Sequence, residues 1–234
     1  MTPRAFVAGA TGFVGRAVVQ ALTARGVATT AHVRPDSRSL EAWRTRLTEL
    51  GATVDTTPWE ATALTDRLRA LAPTHVWNTI GTTRRRASAD GVAGDIYQAV
   101  DVALSRMLVA AAVGSGVRPR LVQLSSIGAS ATARSAYLKA RGQADAAVMA
   151  SGLPWAIARP SFIVGDGRGD DRRTLEDATA TVANGVLRVV GVLGGTRLRD
   201  TYRSIDPATL ASALVRLGLD DVRDLIATGP DLRG

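Results

Sequence analysis

The run Val7-Ala8-Gly9-Ala10-Thr11-Gly12-Phe13-Val14-Gly15, a few residues into the chain, constrains the fold more than any other feature. Ahead of it, Arg4-Ala-Phe-Val-Ala8 is short and apolar, which predicts a strand. Behind it, apolar residues at helical spacing predict a helix over 14–25, stopped by Gly26. Each of the three glycines at the junction has its own use. Gly9 can take the backbone shape of a tight turn. Gly12 has no β-carbon, so a diphosphate can approach the amides that open the helix, and Gly15 lets that helix lie close on its strand. A strand passing through such a turn into a helix predicts a dinucleotide-binding βαβ unit.

The rest of the chain continues the alternation. Strands are predicted over 28–33, 53–57, 75–80, 121–124 and 155–158, with helices over 40–50, 64–71, 96–113 and 137–150 between them. Beyond Arg159-Pro160, helices are predicted over 175–190, 207–217 and 221–226. Units of this kind assemble as an α/β, doubly wound parallel sheet of Rossmann type, with ligands beyond the carboxyl ends of the strands. With 234 residues, no repeat and no long linker, the chain reads as a single domain over 1–234. Within it, 1–160 form the cofactor core, and 161–234 a small substrate cap with closing helices.

Composition removes several function classes. The absence of cysteine excludes disulfides and thiolate metal sites. His32 and His75 are the only histidines and neither has a partner at ligand spacing, so no metal is expected. The net charge of +8 invites a nucleic-acid reading, but the arginines are scattered through every predicted helix, with one dense cluster at Arg84-Arg85-Arg86. Lys139 is the only lysine among 29 basic residues, so the excess reflects composition rather than a basic face, and no nucleic-acid partner is expected. No apolar run approaches the ~20 residues of a membrane helix. A strand beginning at Arg4 leaves no room for a signal peptide, and a cytoplasmic location is expected.

The end of the second predicted strand bears on cofactor choice. An acid there would hold an adenosine ribose 2′-hydroxyl. The sequence reads Ala31-His32-Val33-Arg34-Pro35, without a carboxylate; Asp36, the nearest acid, is expected to be carried out of the pocket by Pro35, and Ser37 and Arg38 follow. A guanidinium at Arg34 can pair with a 2′-phosphate and stack on adenine. NADP(H) is therefore the expected cofactor, with NAD(H) the alternative.

Three later segments share an order with the glycine turn: Gly81-Thr82-Thr83-Arg84, Leu124-Ser125-Ser126-Ile-Gly128-Ala129, and Tyr137-Leu-Lys139-Ala-Arg141-Gly142, then Arg159-Pro160. With Thr11-Gly12-Phe13-Val14-Gly15, this series resembles the short-chain dehydrogenase/reductase superfamily. Within that superfamily it looks like the small atypical, Tat-interacting-protein-like branch of NAD(P)H-binding, NmrA-like proteins. The likeness covers about residues 4 to 173. It implies that Gly81 and Thr82 lie along the cofactor and that Pro160 lies near the nicotinamide. It implies also that a serine after strand five, Ser126 before Ser125, and Tyr137 flank a substrate carbonyl or carbinol. In the superfamily a lysine four residues beyond the tyrosine holds the nicotinamide ribose. Here that position is Arg141, which shares a helix face with Tyr137, whereas Lys139 lies roughly 200° around.

The resemblance implies an NADPH-dependent oxidoreductase acting on a small carbonyl or hydroxyl compound, with hydride transfer at nicotinamide C4 and proton transfer at Tyr137. An isomerase or epimerase that uses the nucleotide transiently is one alternative. A non-catalytic NADPH-binding sensor or regulatory protein, which the arginine at 141 suggests, is another. Arg84 to Arg86 would suit an anionic substrate, a solvated loop being the other reading. The helices over 96–113 and 137–150 offer a face for a homodimer.

Overall fold

The computed structural model describes residues 2–82, 94–164, 203–221 and 223–233. Seven strands form one parallel sheet in the order β3-β2-β1-β4-β5-β6-β7. In chain order they are β1 (Arg4–Ala8), β2 (Ala28–His32), β3 (Thr53–Asp55), β4 (His75–Asn78), β5 (Arg120–Leu124), β6 (Trp155–Arg159) and β7 (Leu225–Thr228). Among the described residues the α-helices are α1 (Phe13–Thr23), α2 (Leu40–Glu49), α3 (Ala61–Leu71), α4 (Ala103–Gly114), α5 (Ala136–Met149) and α6 (Pro207–Leu219). Central β1 pairs with β2 on one side (Val7 beside Ala31) and with β4 on the other (Val7 beside Trp77). The strand order reverses at that gap. In open parallel sheets such a reversal leaves a crevice beyond the strand ends.

Alternation along β1 sends side chains to both faces of the sheet. Ala5 and Val7 join a core with Val18, Val19 and Leu22 of α1 and Leu210 and Leu214 of α6. Phe6 and Ala8 join a second core with Leu64 and Leu68 of α3 and Leu108 and Ala112 of α4. Trp77 is wholly buried in the first core, and its indole N–H donates to the Leu214 carbonyl at 3.1 Å. A buried polar link joins β4, β5 and α4, in which the Asn78 amide donates to Ser105 Oγ (2.9 Å) and to Gln123 Oε1 (2.7 Å).

The α/β doubly wound sheet expected from sequence is present, with one strand more than anticipated. The helix predicted over 221–226 is not formed. Leu225–Thr228 is instead the strand β7, paired with β6 from Ala156–Leu225 to Arg159–Thr228. Asp224 has φ +54°, which breaks any helix there, and its N–H donates to the Trp155 carbonyl. α6 starts at Pro207, and the carboxylate of Asp206 just before it caps the helix by accepting from Ala208 and Thr209 N–H. α6 and β7 thus complete the main sheet and its cover. The helix predicted over 96–113 divides into a π-helical turn, Tyr97–Val102, and α4. The helix predicted over 175–190, the Arg84–Arg86 cluster and most of the expected cap lie outside the described residues.

Two expected outcomes follow. A β-carbon at Gly15 would overlap the Gly9 carbonyl oxygen and stand 2.7 Å from Thr79 Oγ1. Gly15→Ala should therefore lever α1 off the sheet and cost about 1–3 kcal/mol, read as a lower urea midpoint. The second outcome concerns pH. Burial, with the charge of Arg120, lowers His75 to about 4 against the pull of the Gly218 carbonyl, and burial lowers His32 as well. An unfolded imidazole protonates near about 6.5, so below that value the unfolded chain binds protons the folded chain refuses. Stability should fall as pH drops from about 6.5 toward the folded value of about 4. In His75→Gln the difference between urea midpoints at about pH 7.5 and about pH 5 should shrink, and an undiminished difference would exclude His75 as a source.

Candidate functional site

The crevice is built from backbone. Gly9, at φ +81°, turns the chain directly after β1, and a β-carbon on it would lie 2.7 Å from the Thr79 carbonyl and 2.8 Å from Ile80 N. The Thr79 hydroxyl and N–H both donate to the Ala8 carbonyl, at 2.7 and 3.0 Å, which ties the end of β4 to the end of β1. Gly12 N–H donates to Gly9 O at 2.9 Å and closes the turn. α1 then begins with no side-chain cap and no acid in its first turn, so the helix's own first turn supplies no negative charge to its positive end. Glycines that hold backbone this close, below a helix start of this kind, fit a diphosphate.

A cleft opens over this turn. Its described lining includes Gly9, Thr11 and Gly12, then His32, Val33, Arg34 and Ser37 beyond β2, and Thr79 to Thr82 beyond β4. Trp59 and, from the long helix, Val100 and Leu104 complete it. None of these residues is an acid, and Arg34 is the permanent cation among them. Arg34 makes a loose 3.8 Å ion pair with exposed Asp36. An exposed pair of this kind is worth little. His32 Nε2 lies 2.7 Å from the Thr57 carbonyl, which can only accept, so Nε2 carries the proton and burial keeps the ring neutral. Trp59 meets that ring edge-on at 5.0 Å. Of the residues expected at the cofactor, Gly9, Thr11, Gly12, Arg34, Gly81 and Thr82 meet in this cleft. Val14 is buried in the core, and Gly15 packs on the Gly9 turn. Phe13 opens α1 beside the turn.

The second cluster stands at the ends of β5 and β6. Tyr137 is in the first turn of α5, half-buried, with Tyr97 edge-on at 5.5 Å. The Arg141 guanidinium lies over the Tyr137 ring, 5.3 Å from its centroid. Arg141 Nη1 donates to the carbonyls of Ile80 (2.8 Å) and Leu124 (3.2 Å), and Nη2 pairs with Asp101 at 3.5 Å. Burial opposes that charge, but Tyr137, Asp101 and Asp145 outweigh it and hold the guanidinium protonated. The two serines differ. Ser125 is buried, and its hydroxyl donates to Asp145 Oδ2 at 2.8 Å. The same oxygen accepts from Arg159 Nε and Nη2, at 3.0 and 2.9 Å. Ser126 is half-buried, with one long contact to Ile127 O at 3.4 Å. Pro160 anchors the serine loop, its carbonyl accepting from Ile127 N–H at 2.9 Å. Gly142 seats α5 on that loop, since a β-carbon there would overlap the Ser130–Ala131 backbone.

Asp101, Asp145 and Arg159 were not anticipated as site residues, nor were Trp59 and Tyr97. For the two acids a signal existed: each interrupts an otherwise apolar or alanine-rich helical stretch, Val100-Asp-Val-Ala103 and Ala144-Asp-Ala-Ala147. Asp145 also falls four residues after Arg141, on the same helix face. Trp59 follows a three-residue strand and carried no pattern of its own.

Among the described residues no helix is long and apolar enough to cross a membrane, and no group of acids and histidines could hold a metal. The sequence model of the NAD(P)H-binding family matches residues 9–189. No curated protein sequence matches significantly. Solved structures do. A proposed epimerase from Burkholderia cenocepacia J2315 aligns with TM-score 0.66 at 20% identity, over 97% of this chain and 75% of that one. The Bordetella bronchiseptica enzyme WbmH, in complex with NAD+, aligns with TM-score 0.64 at 16% identity, over 96% and 74%. UDP-N-acetylglucosamine 4-epimerase from Bacillus cereus aligns with TM-score 0.62 at 13% identity, over 97% and 78%. At these identities the likeness establishes a shared fold. The family match, the glycine turn and the seven-stranded sheet agree: this chain belongs to the NAD(P)H-binding family and has a Rossmann fold.

Proposed function

We propose that this protein is an NADP(H)-dependent oxidoreductase acting on a small carbonyl or hydroxyl compound. The observation that carries the reading is Tyr137 at the mouth of the sheet, with a permanent cation 5.3 Å from its ring. That cation is hydrogen-bonded to Ile80, which lines the cleft. A bound nicotinamide nucleotide would supply the hydride or accept it. The remaining work falls to the chain. The Gly9–Gly12 turn and the start of α1 hold the diphosphate. Tyr137 passes a proton to or from the substrate oxygen, Ser126 hydrogen-bonds that oxygen, and Arg141 packs over the Tyr137 ring and holds it in place. Ser125 is committed to Asp145 and serves the loop.

The preference for the phosphorylated cofactor rests on the lining beyond β2, where a guanidinium and a serine stand and no carboxylate does. An epimerase reading has one observation in its favour: two of the aligned structures are named as epimerases or proposed epimerases. The same tyrosine would serve it, because transient oxidation needs the same proton transfer. A cytoplasmic location, a homodimer and an anionic substrate remain part of the proposal.

Two measurements test the proposal. In a screen of carbonyl compounds for NADPH oxidation, Tyr137→Phe should lose about 10²–10⁴-fold in turnover while binding NADPH as wild type does. Equal turnover in both proteins would remove Tyr137 from the chemistry. Tight NADPH binding with no turnover of any compound would favour a sensor. By calorimetry, wild type should bind NADPH more tightly than NADH. Arg34→Ala should weaken NADPH by about tenfold, or 1.4 kcal/mol, and leave NADH unchanged; tighter NADH binding by wild type would reverse the cofactor assignment.

A further inference from the structure

Arg141 is engaged by the protein itself. Its Nη1 joins the ends of β4 and β5 through Ile80 O and Leu124 O, and the residue is only 6% exposed. Asp101, facing Nη2, is 0% exposed and stands on the π-helical turn. Such turns cost helix geometry and recur at functional sites. The oxygen of Asp101 that faces Arg141 also accepts the Thr82 N–H at 3.1 Å. A β-carbon on Gly81 would overlap the Arg141 guanidinium. One carboxylate and one guanidinium therefore clamp three consecutive residues, Ile80, Gly81 and Thr82, all of which line the cleft.

The clamp is held at a cost. Among the described residues, Asp101 Oδ2 and Arg141 Nε are buried with no hydrogen-bond partner. A buried pair so incompletely satisfied is poor at adding stability. Its geometry points elsewhere, to the shape of the backbone it grips. Residues beyond β2 lie on one side of the Gly9 turn and Ile80 to Thr82 on the other. With the diphosphate over the turn and the adenosine beyond β2, the nicotinamide half of a dinucleotide falls against the clamped segment.

We propose that Asp101 is a positioning residue: paired with Arg141, it sets the Ile80–Thr82 backbone that receives the nicotinamide half of the cofactor, and Arg141 works through this strap instead of touching the nucleotide. The proposal rests on the cleft being the dinucleotide site. It differs from a direct ribose contact by Arg141 in what it requires of Asp101. A direct contact does not need the carboxylate, whereas the strap fails when either partner is lost.

The test is calorimetry of NADPH, and of ADP as a fragment that ends at the diphosphate, on wild type, Asp101→Asn, Arg141→Gln and the neutral double variant. Each single change should weaken NADPH by about tenfold. The double variant should lose no more than a single one, within about twofold, and ADP should bind all four proteins alike. That split between NADPH and ADP separates positioning from general loss of structure. The proposal is overturned if Asp101→Asn binds NADPH as wild type does, if the two losses multiply in the double variant, or if ADP weakens in parallel. Should Asp101→Asn alone not fold, the double variant against Arg141→Gln decides. Equal NADPH affinities support the strap, and a further tenfold loss refutes it. Wild type that binds ADP but neither NADPH nor NADH would instead refute the dinucleotide reading on which the strap stands.

Discussion

The approach of two backbones, Gly9 against Thr79 and Ile80, governs the rest of this structure. The β1 turn and the end of β4 are so close that no side chain fits between them. That contact lies where the strand order reverses, so it defines at once the floor of the cleft, the start of α1 and the height at which anything bound would sit. Hydrogen bonds from Thr79 to Ala8 lock it from the other strand. Residues that look unrelated in sequence are thereby drawn to one line: the glycine turn, the Arg34 segment and the Gly81–Thr82 segment. Their placement around one cleft is a consequence of one close packing.

Around that floor the protein tolerates an unusual concentration of buried charge. Asp101, Arg141, Asp145 and Arg159 alternate in sign from the π-helical turn across α5 to the end of β6. Burial pushes both carboxyls above the usual carboxylate range, and the neighbouring guanidinium and N–H or O–H donors pull them back. Removing one member would strand its neighbour without compensation, so the group stands or falls together. Arginine suits such a place better than lysine, because its planar fork can engage two carbonyls and a carboxylate from one fixed position. The departure at residue 141 is thus matched by an acid on another helix.

What could be read from sequence was what is local. The glycine turn, the strands as far as β6 and the helices between them follow from short-range pattern, and they stand within a few residues of where the pattern put them. β7 did not follow, because Leu225-Ile-Ala-Thr228 is too short to separate strand from helix, and pairing with β6, far away in the chain, decides it. The site divides in the same way. Gly9, Gly12, Arg34 and Gly81 lie at strand ends and were legible; Asp101 and Arg159 were not, since each is given meaning by a partner on another element. The two serines were named as a pair, but nothing local says that Ser125 turns inward to Asp145 while Ser126 does not.

The contact at Gly142 carries a consequence for how this site can vary. α5 rests main chain against main chain on the loop that follows β5, with Ser130 N–H donating to the Leu138 carbonyl at 3.2 Å. Helix and loop are therefore fitted to each other through main chain, and where Ser126 stands relative to Tyr137 follows from that seam and not from the side chains nearby. Changes on the surrounding surface can therefore leave the placement of Ser126 and Tyr137 undisturbed.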